Sequence, residues 1–345
     1  MHKGSLGGMA SVSDREKFER AIKSVKAQGA IITTHEVPDA DGLGSAFTIA
    51  RKLRGMGKAA EIVCGPLTPP VEPLVDRLGL EVKGWGQVPQ SDLRPVIVVD
   101  TSNPALLGGL CGRENRIILL IDHHQRNEET VRAAERIENV SAISACEIIA
   151  SLLRRKDVDK MSALALAVGI ASDSERLNYA DLRTLRIFEK LLTISGAGKR
   201  EIDELAYPPM RPDMLASVME DMRSLRVELY RGRVIAAGQT ALGVPSIFAD
   251  AIRGMGASVS AGVSELEDSW VRLSIRVRLR EAYDKGIHAS RIANRASELC
   301  HIPKNLRGGG HIDKAGALIR ATAAEVIEAV IASAKEAIDA AESEK

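Results

Sequence analysis

Residues 116–124 read RIILLIDHH, an unbroken apolar run that stops abruptly at Asp122, His123 and His124. Continuity of this kind, rather than alternation, marks a parallel strand buried on both faces. Three further segments share the design: AIITTH (30–35), AEIVC (60–64) and PVIVVDT (95–101). Helical patterns separate them, including 14–27 and 44–55. Strands alternating with helices predict right-handed crossover units, hence an α/β fold with a parallel sheet covered on both faces. His35, Asp100 and the 122–124 trio each close an apolar run. Carboxyl ends of parallel strands line the ligand crevice, so three clusters distant in sequence are predicted to meet in one place.

Around this frame the chain is balanced. Its 345 residues are 45% apolar, enough for two cores. Its 47 Lys and Arg nearly cancel 46 Asp and Glu, so no global field drives it onto nucleic acid and any basic surface is local. Four cysteines without CxxC spacing read as reduced thiols rather than as a zinc site or a disulfide framework. Neither a signal-peptide stretch nor a membrane-length apolar run is present, and the expectation is a cytoplasmic protein. Residues 1–13 read as a loose or tag-like N-terminus, 14–198 as a first domain, the proline-bearing 199–228 as a linker, and 229–345 as a smaller α/β domain.

The first polar cluster is HEVPDADGLGS (35–45). His35, Asp39 and Asp41 follow a strand, and Gly42, Gly44 and Ser45 open a helix. Alone, PDADG would mark a turn and a helix cap. Two carboxylates two residues apart can also reach two adjacent ions. With VVDTSN (98–103) and IDHHQ (121–125) ending neighbouring strands, a ligand site outweighs three unrelated caps. No GxxxxGK[ST] loop occurs, which disfavours ATP-driven chemistry.

These segments, with GIASDSERLNY (169–179), resemble in order the four motifs of the DHH phosphoesterase superfamily, named for the trio Asp122, His123, His124. The resemblance implies two manganese ions, with magnesium as a substitute. One would be held by His35, Asp39 and Asp100, and the other by Asp41, Asp100, His123 and Asp173, with Asp100 as the bridge. Asp122 would fix the imidazoles and His124 would face the substrate phosphate. Mixed imidazole and carboxylate ligands suit manganese better than magnesium. The fourth motif departs from the family pattern at Ser174, Glu175 and Arg176, where Thr and Gly often follow the aspartate.

In the second domain WVRLSIRVRLR (270–280) alternates strictly, presenting Arg272, Ser274, Arg276, Arg278 and Arg280 on one face. Guanidinium groups so arrayed suit bidentate phosphate contacts, although a solvated face paired with nearby acids explains them equally well. GGGHIDKAGA (308–317) resembles the glycine–histidine motif of the first type of DHH-associated domain, which implies substrate contacts from Arg276, Gly308, Gly309, Gly310 and His311. Together these features imply a metal-dependent exonuclease acting on short RNA, single-stranded DNA or nucleotides, nanoRNase-like and active on phosphoadenosine phosphate, as a monomer or homodimer. A RecJ-like exonuclease, a cyclic or linear dinucleotide phosphodiesterase and, last, a dead nucleic-acid-binding protein are the alternatives.

Overall fold

The computed structural model describes residues 11–110, 112–124, 130–304, 307–310 and 312–343. The chain divides into two compact units, Met1–Pro209 and Met210–Lys345. The division falls inside the segment expected as a linker. That segment carries helices α7 (Lys199–Ala206) and α8 (Pro212–Asp221), one in each unit.

The first unit is built on six strands: β1 (Ala30–Thr33), β2 (Ala60–Val63), β3 (Val82–Lys83), β4 (Val96–Val99), β5 (Ile117–Asp122) and β6 (Glu135–Glu138). They run in the order β3-β2-β1-β4-β5-β6, and every pairing is parallel. β1 and β4 are buried at every position, as their continuous apolar sequences demand. Strand order reverses between β1 and β4, which makes their carboxyl ends the topological switch point.

Helix α1 (Val12–Ser24) begins earlier than expected, because the Ser11 side chain accepts the Asp14 N–H and caps it. α2 (Ala40–Gly55) follows β1 and is capped by Asp39. α3 (Glu72–Leu78), α4 (Ala145–Leu152), α5 (Lys160–Asp173) and α6 (Leu182–Ser195) complete the unit. α5 is buried from Ser162 to Ala171, so it is apolar all round rather than amphipathic. It lies close to α2 because glycines permit it. A Cβ on Gly44 would sit 2.6 Å from the Ala165 carbonyl oxygen, and one on Gly169 would sit 2.4 Å from Cys146 Sγ.

The second unit has strands β7 (Arg226–Tyr230), β8 (Arg233–Gln239), β9 (Val259–Glu265), β10 (Trp270–Val277), β11 (Gly309–Gly310) and β12 (Lys314–Arg320), in the order β11-β12-β10-β9-β8-β7. Only β8 and β9 pair in parallel; the other neighbours are antiparallel. Helices α9 (Pro245–Gly254), α10 (Ala289–Leu299) and α11 (Ala323–Ser343) accompany the sheet. β10 ends at Val277, so the expected run of strand to residue 280 is corrected. Arg278 donates its N–H to Ser258 and the chain then turns into a single π-helical segment from Arg280. Arg278 and Arg280 therefore do not extend an arginine ribbon. No helix among the described residues is long and apolar enough to cross a membrane.

Candidate metal centre

Three adjacent strands, β1, β4 and β5, each deliver a polar group at or just past their carboxyl ends. His35 follows β1, Asp100 follows β4 directly, and Asp122 closes β5 with His123 and His124 behind it. α2 contributes Asp41 in its first turn and α5 contributes Asp173 as its last residue. Asp100 has φ +62°, a left-handed conformation uncommon outside glycine, and such outliers concentrate where function over-determines the backbone.

The resulting cluster is tight. His35 Nε2 lies 3.4 Å from Asp100 Oδ2 and 3.6 Å from Asp39 Oδ1. His123 Nε2 lies 3.3 Å from Asp100 Oδ1, 3.4 Å from Asp173 Oδ2 and 4.0 Å from Asp41 Oδ2. Among the described residues three groups place ligand atoms within 4.8 Å of one another: His35, Asp39 and Asp100; Asp41, Asp100, His123 and Asp173; and Asp100, His123 and His124. Asp100 belongs to all three.

Buried carboxylates at this density repel one another, and positive charge has to answer them. Burial opposes charge on both imidazoles, but Asp39 and Asp100 prevail at His35, and Asp100 with Asp173 at His123, raising each to about 10. Burial would raise Asp100 as well, yet His123 and His35 hold it well below the usual carboxylate range. Asp41 is pushed up by burial and by the charges of Asp100 and Asp173.

The site also fits a cation on hydrogen-bonding grounds. Asp100 Oδ1 and His123 Nε2 are buried and neither makes a hydrogen bond of sound geometry, although they lie 3.3 Å apart. Buried polar atoms left in this state are rare, and an ion satisfies both at once. Protons on the ring nitrogens occupy the lone pairs a cation would use, so a bound cation would displace them.

Several residues with no motif signature build the centre. Asp41, fully buried, accepts the N–H groups of Ala145 (2.6 Å) and Cys146 (2.8 Å) at the start of α4. Ser144 caps that helix through the Glu147 N–H, and buried Glu147 accepts the Ile143 N–H and the Thr184 hydroxyl. The Ser144-x-x-Glu147 spacing was the readable signal of this helix start. Gly169 is required because a Cβ there would come within 3.0 Å of Asp41 Oδ1.

Asp122 bonds His124 rather than His123: its Oδ1 is 2.6 Å from His124 Nδ1 and 3.2 Å from the His124 backbone N. Burial would raise Asp122, but the bond from His124 prevails and holds it below the ordinary range. In the variant fourth motif Glu175, Arg176 and Leu177 all have left-handed φ, and the Arg176 guanidinium lies 4.1 Å from the Tyr207 ring centroid. Arg176 is thus a cation–π partner and not a merely solvated side chain.

In the second unit, Arg276 donates from Nε to Asp250 (2.9 Å) and from Nη1 to Ser274 Oγ and the Ile275 carbonyl. Gly308 and Gly310 serve the β11–β12 hairpin: a Cβ on Gly308 would lie 2.6 Å from the Gly316 carbonyl oxygen, and Gly310 has φ +146°. His311 falls outside the described residues.

A parallel sheet that gathers buried carboxylates and imidazoles around one aspartate at its switch point makes an α/β domain whose residues fit cations. The first unit carries a DHH domain: residues 30–170 match the DHH family, N-terminal domain. It is 24% identical over 319 residues to the bifunctional oligoribonuclease and PAP phosphatase NrnA of Thermus thermophilus, a match covering 88% of this chain and 89% of that one. It is 27% identical over 183 residues to the cyclic-di-AMP phosphodiesterase GdpP of Bacillus subtilis, covering 46% of this chain but only 27% of GdpP. Among solved structures, an exopolyphosphatase-related protein from Bacteroides fragilis shares the fold with a TM-score of 0.78, at 15% identity and over 97% of this chain and 99% of that one.

Proposed function

We propose that this protein is a manganese-dependent, two-ion phosphoesterase that hydrolyses short oligonucleotides and phosphoadenosine phosphate. One observation carries the reading: Asp100 is common to a three-residue and a four-residue ligand group. A shared carboxylate supports two adjacent ions rather than two independent sites. His35, Asp39 and Asp100 would hold one ion, and Asp41, Asp100, His123 and Asp173 the other. When bound, such a pair supplies Lewis acidity, an activated water and a clamp on the attacking and leaving oxygens. Mixed imidazole and carboxylate donors favour manganese, with magnesium as a weaker substitute.

The chain's own groups do the rest. The α4 amides hold Asp41 in place. Asp122 anchors His124 through Nδ1, so Nε2 is the ring atom that would donate to a substrate phosphate oxygen. In the second unit Arg276 spends Nε and Nη1 on internal partners, which leaves Nη2 as its donor to phosphate. Gly308, Gly309, Gly310 and His311 are the proposed neighbours of that contact. The NrnA likeness spans both units whereas the GdpP likeness is partial, which supports short oligonucleotides over a cyclic dinucleotide.

A kinetic length series tests this. A short fragment engages nearly every phosphate contact of a compact site, and a long strand gains nothing further. Di- to pentaribonucleotides are expected to be cleaved with higher kcat/KM than 20-mers, with manganese restoring activity removed by chelation. Values of kcat/KM that rise toward long strands would instead favour a RecJ-like exonuclease.

A further inference from the structure

A cleft of about 370 Å³ opens where β1, β2 and β3 end. Two of its wall residues, Thr34 and Glu36, are the chain neighbours of His35, so the cleft lies beside the candidate metal centre. Its size is within the range of small-ligand pockets.

Two features define what it would accept. Glu36 has no ion-pair or side-chain hydrogen-bond partner among the described residues, while the nearby cation Lys83 is committed to Glu61 at 3.0 Å. A Cβ on Gly108 would lie 3.3 Å from Glu36 Oε2, so the glycine makes room for that carboxylate. Trp85 supplies an aromatic wall and lies against Gly109, where a Cβ would come within 1.9 Å of its Cδ1.

Uncompensated negative charge at Glu36 excludes a phosphate from this cleft. An indole selects a flat, largely apolar group, and carboxylate oxygens select N–H donors. A nucleobase has both properties. Among the bases, guanine presents two parallel donors, N1–H and N2–H, that match two carboxylate oxygens. Adenine and cytosine set their amino donor beside an acceptor, and uracil sets its single N–H between two carbonyls.

We propose that this cleft is a guanine-selective base subsite, seating the nucleoside whose phosphate reaches the metal centre, with Glu36 as the specificity-determining residue. The proposal rests on the nucleotide phosphoesterase reading above, and its test separates the two. The full-length protein is titrated calorimetrically with guanosine, adenosine, cytidine and uridine, which carry no phosphate to hydrolyse. Cleavage of pGpG, pApA and pCpC is followed in parallel.

Guanosine is expected to bind about tenfold more tightly than adenosine, as bidentate edge recognition provides. Glu36→Gln, on an exposed side chain and carrying a donor beside an acceptor, should reverse that order. Trp85→Ala should weaken all four nucleosides about tenfold through lost stacking. Guanosine preference without dinucleotide cleavage upholds the subsite and removes the hydrolytic reading. Cleavage with equal or undetectable nucleoside binding, or with an order unchanged by Glu36→Gln, overturns the subsite and leaves hydrolysis standing.

Discussion

At the scale of single residues, Asp100 concentrates the chemistry, because it sits in every ligand group and in a left-handed conformation. Asparagine tolerates that backbone but withdraws the negative charge. Asp100→Asn is therefore expected to keep the fold, checked by circular dichroism, while kcat/KM on a dinucleotide drops roughly a thousandfold or more. A folded variant with near-normal turnover would refute a shared ligand. The strand-end positions of His35, Asp100 and His123 were legible in the sequence because each interrupts an apolar run. The support around them was not: Ala145 and Cys146 act through backbone N–H groups, which leave no side-chain signature. The partner of Asp122 was equally hidden, since adjacent histidines look alike until the chain bends and only His124 meets it.

Among elements, continuous apolar sequence made β1, β2, β4 and β5 readable. The edge strand β6 is Glu-Arg-Ile-Glu, with Ile137 alone buried, and its pattern is indistinguishable from a loop. The two-residue β3 and β11 are too short to carry a period. Packing of α2 on α5 yields a paired expectation. Gly169→Ala forces a Cβ into Cys146 Sγ and Asp41, and is expected to destabilise by roughly 1–3 kcal/mol in urea unfolding and to weaken manganese binding. Gly55→Ala, with nothing within 4 Å, should be neutral or stabilising by up to roughly 1 kcal/mol. Equal effects would contradict the close-packing account. At the edge of β2, Arg94 bonds both Asp92 and Glu61 and holds both carboxyls below their ordinary values. Depressed carboxyls add stability that is present above the ordinary carboxylate pKa of about 4 and fades as pH falls through the folded values. Arg94→Met should thus lower Tm at pH 7, and the gap from wild type should close towards pH 3. A gap that stays constant would assign Arg94 a packing role only.

At the scale of the molecule, each apolar core cluster among the described residues lies within one unit: two belong to the residues before 210 and two to those from 210 onward. A fragment of residues 210–345 is expected to fold alone, with one cooperative urea transition and dispersed amide resonances. A molten fragment without a transition would show that its core depends on the first unit. The two-unit organisation was foreseeable from length and from the proline-bearing segment, within which the division falls, and what the sequence reading missed is that 199–228 carries helices α7 and α8. The proposed ligands themselves run from His35 to Asp173, all in the first unit. A ribosome making this chain therefore translates every proposed ligand before any of residues 210–345. A first unit that has cleared the ribosome while the second is still being made would already carry the whole proposed ligand set.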